Sequence, residues 1–123
     1  NFELQDAIGN RDVLKASHIA DHFGKNPRNN SPIFSVIVLF NFFTKILLLK
    51  TIKDQSSWTV ASKLRINPFF VKKYQQAAKN YSGAKVVDNI SLLRAYDLKL
   101  KGVENVSTTD GELLKELIYK LMH

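Results

Sequence analysis

Apolar residues recur at helical spacing in seven successive stretches, and none shows the two-residue alternation of a half-buried strand. Phe2, Leu4 and Ile8 mark a short helical turn that Gly9-Asn10 breaks. From Arg11 to Phe23, one face carries Val13, Ala16 or Ile19, and Phe23. Gly24 then has the place of a left-handed C′ glycine before the polar loop Lys25–Asn30. Ser31-Pro32 reads as an N-cap followed by a proline at the first helical position, where no N–H is needed. The segment that follows, Ile33 to Lys53, is the most apolar of the chain. Ile33, Val36, Ile37, Phe40, Phe43 and Leu47 share one face, and Phe34, Val38, Leu39, Phe42, Ile46 and Leu49 lie around the rest. A helix apolar nearly all round belongs at the centre of a bundle or in a membrane. Its apolar run of about 17 residues is short of the roughly 20 that a span needs. Ser35, Asn41, Thr44 and Lys45 interrupt it, and a lysine at mid-membrane costs a few kcal/mol. The bundle reading is therefore the better one.

Ser56 to Arg65 predicts a short helix with Val60, Ala61 and Leu64 inside and Trp58 near its start. Asn67-Pro68 repeats the cap-and-proline signal and opens a helix to Tyr81, with Phe69, Val71, Tyr74, Ala77 and Ala78 as candidate core positions. Ser82-Gly83 separates it from Ala84–Lys101, where Val86, Ile90, Leu93, Asp97 and Leu100 keep helical spacing. Asp97 and Lys101 lie one turn apart and can pair, Gly102 ends the helix, and Val103–Thr108 reads as a loop. Thr109-Asp-Gly-Glu112 has capping-box spacing before Leu113, Leu114, Leu117, Ile118 and Leu121. The expected fold is all-α: a single compact helical bundle of six to seven helices spanning residues 1–123.

At 123 residues the chain is one domain, large enough to bury about two-thirds of its unfolded surface. It has no cysteine, which excludes disulfides and thiolate metal sites and suits a cytoplasmic protein. It opens on Asn-Phe-Glu-Leu without a charged segment or cleavage site, so the expectation is a piece of a longer protein rather than a secreted one. The net charge of +7 is uneven. Lys45 to Lys101 holds 12 Lys and Arg against 3 acids. A basic middle suits a polyanion, and a solvated lysine-rich surface accounts for it as well.

Candidate chemistry is sparse. His18 and His22 stand one turn apart with Asp21 beside them, a spacing that can hold zinc, but His123 is the sole other histidine and no His-Glu-x-x-His occurs. No nucleophile elbow and no phosphate-binding loop is present, and the five glycines do not cluster. The expectation is no catalytic residue, no metal and no cofactor. Ser56 to Gln76 has the outline of a helix-turn-helix whose second helix, carrying Lys72 and Lys73, would enter a major groove. Base readout favours Arg, Asn or Gln near the start of that helix, and Pro68-Phe-Phe-Val suits packing instead.

Asp6-Ala7, Arg11-Asp12 and Val13-Leu14 near the start, Ala61, Leu64, Pro68, Phe69 and Lys72 in the middle, Asp97 and Lys101, and the tail Leu113–Leu121 together resemble one family. In order and spacing they are similar to the C-terminal domain of the delta subunit of the bacterial DNA polymerase III clamp loader. The resemblance covers nearly the whole chain. It implies a collar-type helical domain that holds delta in a pentameric ring beside ATPase subunits of the gamma/tau type, in DNA replication. It implies that the sliding clamp is met by an N-terminal part of delta outside this chain, and that delta is not itself an ATPase. Phe69 and Phe70 become candidates for the subunit interface. Lys63, Arg65, Lys72 and Lys73 become candidates for non-specific contacts to DNA phosphates. The alternative is a helix-turn-helix DNA-binding domain of a transcriptional regulator.

Overall fold

The computed structural model describes residues 2–26, 28–102 and 109–123. Among these the chain forms seven α-helices, one 3-10 turn and no strand, as the periodicity predicts. They are α1 (Phe2–Gly9), α2 (Val13–Lys25), α3 (Pro32–Leu49), α4 (Ser57–Leu64), the 3-10 turn Pro68–Phe70, α5 (Val71–Asn80), α6 (Gly83–Leu100) and α7 (Asp110–Met122). The expected loop Val103–Thr108 lies outside the described residues.

The starts of the helices follow local chemistry. The side chains of Asp12, Ser31, Asn67, Ser82 and Thr109 each accept a backbone N–H of the first turn they precede. Some of the ends depart from expectation. Gly24 is not a C′ residue, because α2 runs through it to Lys25. Its role is contact: Gly24 and Gly111 meet backbone to backbone where α2 crosses α7, and a Cβ on Gly111 would stand 3.0 Å from the Gly24 Cα. Gly102 (φ 92°) follows α6 as expected, while two further left-handed turns fall on arginines. Arg11 (φ 55°) follows α1 and Arg65 (φ 57°) follows α4. In each case the next residue donates its N–H five positions back, Asp12 to Ala7 and Ile66 to Ala61, which is the Schellman pattern without its usual glycine.

α3 lies at the centre and packs against α1, α4, α5, α6 and α7. It buries Val36, Leu39, Phe42, Phe43, Ile46 and Leu49. Phe42 and Phe43 meet edge-on at 5.5 Å, and each reaches a tyrosine of the next layer, Tyr74 at 5.2 Å and Tyr81 at 5.3 Å. Such pairs add about 0.5–1.5 kcal/mol beyond area burial. Not all of α3 is covered. Phe34, Ile37 and Leu48 are exposed, so the helix is central on one side and open on the other. It is long and apolar enough to cross a membrane by length and composition, yet its inner face is committed to the core.

Side chains from other elements tie the helix ends together. Arg11 Nε donates to the Met122 carbonyl (3.0 Å), and Nη1 donates to the Asn80 carbonyl (2.7 Å). The same guanidinium lies 4.8 Å from the centre of the Tyr81 ring. Lys85 Nζ and Asn89 Nδ2 donate to the carbonyls of Lys120 (2.8 Å) and Leu121 (3.0 Å). Three consecutive carbonyls at the end of α7 thus receive donors from three different side chains. The buried Tyr81 hydroxyl donates to the Ile8 carbonyl (2.6 Å), and burial pushes its pKa up to about 12.

Arg11→Ala should cost about 1–2 kcal/mol in urea unfolding, since two carbonyls lose a charged donor. Arg11→Gly should lose less, by up to about 1 kcal/mol, because glycine relieves the left-handed backbone. Gly111→Ala should destabilise by about 1–3 kcal/mol, because the Gly24 backbone it meets cannot swing away. Gly83→Ala, with nothing within 4 Å of the added carbon, is the neutral or slightly stabilising control. In an absorbance titration of tyrosinate, Tyr81→Phe should delete the step near about 12. Stability held by the neutral hydroxyl is complete below the ordinary tyrosine range and lost as pH rises to that value, so the wild type should weaken across that alkaline window.

Candidate functional site

The corner between α4 and α5 is where the chain turns its largest apolar side chains outward. Asp54 prepares the entry. Its carboxylate accepts the Ser56 N–H (3.0 Å) and the Thr59 hydroxyl (2.8 Å), and these bonds, that of the Ser56 N–H first, hold its pKa below the usual carboxylate range. α4 then buries Val60, Ala61 and Leu64 and leaves Trp58 79% exposed. The left-handed Arg65 reverses the chain. Asn67 Oδ1 accepts the Phe69 N–H at 2.9 Å, and Pro68 opens the 3-10 turn.

Phe69 is not a core residue. It is 80% exposed, and Phe70 beside it is exposed as well, their rings edge-to-face at 5.5 Å. The expectation of a buried Phe69 fails because a 3-10 turn precedes α5. The three-residue turn shifts Phe69 off the face that Val71, Tyr74, Ala77 and Ala78 bury. Half-buried Ile66 lies under this corner and separates two shallow clefts. One, of about 300 Å³, includes Phe2, Phe70 and Tyr74. The other, of about 240 Å³, includes Trp58, Ala61 and Pro68. Trp58, Phe69, Phe70 and the exposed Phe2 therefore form an aromatic corner, of which the Pro-Phe-Phe-Val sequence and the family resemblance singled out Phe69 and Phe70 but not Trp58 or Phe2. An outward Trp two residues into a short amphipathic helix was the available signal.

Of the four basic candidates, Lys63, Arg65 and Lys72 are exposed and make no ion pair among the described residues. Lys73 differs. Its Nζ lies 3.0 Å from Asp6 Oδ2 and 5.8 Å from the centre of the Phe70 ring, so it ties α5 to α1 and steadies the corner. Asp97 and Lys101 pair at 2.9 Å as their spacing predicts.

On α2, His22 is engaged locally. His22 Nδ1 lies 3.4 Å from Asn26 Nδ2. Asp21 accepts Lys115 (2.8 Å) and Lys25 (3.1 Å), and these two cations lower its pKa to about 2. Its carboxylate pins α2 to α7.

No curated protein and no solved structure matches the chain. The family that does match is described as the DNA polymerase III delta subunit, C-terminal domain, and it spans residues 1–120. With an all-helical fold and that match over nearly its full length, the chain belongs to the family formed by the C-terminal domains of DNA polymerase III delta subunits.

Proposed function

We propose that this domain is the assembly module of a clamp-loader delta subunit. It docks delta onto a neighbouring gamma/tau-type ATPase subunit in the pentameric ring that loads the sliding clamp. The observation that carries this reading is the aromatic corner on a domain of the delta family. Exposed Trp and Phe clustered on a turn are anchors of the kind that dominate interface energetics. Asn67, Pro68 and the left-handed Arg65 fix the backbone beneath them, which lowers the ordering cost of binding. The domain itself is read as non-catalytic, and the clamp is reached through the N-terminal part of delta.

Lys63, Arg65 and Lys72 support a second, auxiliary reading, non-specific contact with DNA phosphates in the loaded assembly. A base-reading helix-turn-helix is less well supported. The second helix opens on Pro68-Phe69-Phe70 in a 3-10 turn, which offers a groove no amide or guanidinium.

In full-length delta, Phe69→Glu with Phe70→Glu should reduce co-purification with the ring's ATPase subunit by more than about tenfold, as expected for loss of hot-spot anchors. Both residues are exposed, so helix content should not change. Normal assembly of that variant would remove the corner from the interface. Replacing Lys63, Arg65 and Lys72 together by Glu should leave assembly intact. It should also lower the salt slope of duplex binding by the assembled loader by roughly two to three, equally for all sequences. A marked sequence preference of the isolated domain would favour the regulator reading instead.

A further inference from the structure

A second apolar surface lies on different helices. α3 and α6 pack antiparallel, with the first half of α3 (Val36, Ile37, Phe40) against the second half of α6 (Leu93, Asp97). Between them runs a groove of about 230 Å³ with Ile37, Phe40 and Leu93 as walls and Arg94, Asp97 and Lys101 on its rim. Beside it, α3 exposes Phe34 (54%), Ile37 (49%), Asn41, Thr44 and Leu48, and α6 exposes Leu98. The α3 positions follow spacings of three and four, a stripe about 21 Å long at 1.5 Å per residue. A groove between two antiparallel helices, edged by a stripe of that length with Phe34, Ile37 and Leu48 as its apolar positions, is shaped for a third helix.

The charge at the edge selects the occupant. α3 contains no acidic residue and carries Lys45. On α6, Arg94 is exposed with no ion pair among the described residues, while Asp97 is neutralised by Lys101. A second copy docked groove to groove would bring Lys45 and Arg94 against the same cations. Nucleic acid would bury Ile37, Leu48 and Leu98 against phosphate. We infer that the α3–α6 groove is a docking site for an amphipathic helix of a partner protein, apolar on one face and acidic along its flanks. This surface is distinct from the aromatic corner, so neither stands or falls with the other.

The probes are two synthetic helices of about 18 residues with one shared Leu/Ile face, flanked by Glu in one and Lys in the other. Fluorescence anisotropy should show the Glu peptide binding the wild-type chain at least about tenfold more tightly, by a margin that salt erodes. Ile37→Glu and Leu98→Glu, both surface changes, should each weaken it at least about tenfold with helix content unchanged. Arg94→Glu should narrow or reverse the preference, and Phe69→Glu should leave it untouched. The proposal is overturned if neither peptide binds, if both bind equally, or if Ile37→Glu has no effect. It is also overturned if sedimentation shows a dimer that Ile37→Glu abolishes, which assigns the groove to a second copy. Binding to vesicles of anionic lipid that Ile37→Glu abolishes would assign it to a membrane surface and overturn it too.

Discussion

A helix that ends inside a small all-α domain leaves carbonyls without partners, and a buried one costs about 1–3 kcal/mol if no donor arrives. Here the donors come mostly from long side chains on other elements. Arg11 serves α5 and α7 at once, Lys85 and Asn89 complete the end of α7, and Lys50 reaches the Ala78 carbonyl at 2.7 Å. Lys and Arg suit this work because their stems cover apolar surface while their heads reach a carbonyl at the edge. Arg11 is the node. Its left-handed backbone ends α1, and its guanidinium then reaches helix ends 69 and 111 residues away in sequence. With the Tyr81 hydroxyl on Ile8 and the Asn80 amide on the Gly9 carbonyl (2.8 Å), it straps α1 along the end of α5. Lys73–Asp6 repeats the strap one helix-length away, at the end that carries Phe70. The aromatic corner therefore inherits its position from contacts that never touch it.

The same contacts mark the limit of sequence reasoning. Most helix starts were legible because an N-cap is local: Ser31, Asn67 and Thr109 satisfy N–H groups two or three residues on, as does Ser82, which reads in sequence only as a break. Helix ends were legible only where glycine makes them, as at Gly102, because a left-handed residue is judged by intrinsic cost, which favours glycine. Arg11 offsets that cost with bonds to distant carbonyls, and Arg65 sits in a turn held by Asn67 and Pro68. Gly24 looked like a stop and is a crossing point, and the reason, Gly111, lies 87 positions along the chain.

Among site residues, the pairing of Asp97 with Lys101 was legible as a one-turn spacing. Phe69 was read both as core and as interface, and the 3-10 turn decides between these by rotating it outward. Lys73 looked equivalent to Lys72, yet Asp6 takes its charge, a contact between the first helix and the fifth that no local pattern encodes. The family resemblance was legible for the opposite reason. It rests on the order of many weak local signals, and order survives in a sequence where individual contacts do not.

Exposed apolar atoms are ordinary on a domain of this size, so what carries meaning is their arrangement. Two groups stand out here and differ in kind. The corner gathers Phe2, Trp58, Phe69 and Phe70 on a backbone fixed by a cap, a proline and a left-handed turn. The groove edge is formed by Phe34, Ile37, Leu48 and Leu98 on two long helices. Rigid aromatics lose little entropy on binding and favour a stable, specific contact. A mixed apolar and polar groove edge beside exposed Arg94 accepts any helix of suitable length, and charge then discriminates among candidates. α3 connects the two. Its apolar excess supplies the core under the corner through Phe42 against Tyr74, and the remainder faces outward as the stripe. A helix apolar nearly all round is thus explained without a membrane: one side satisfies the fold, and the other is left for a partner.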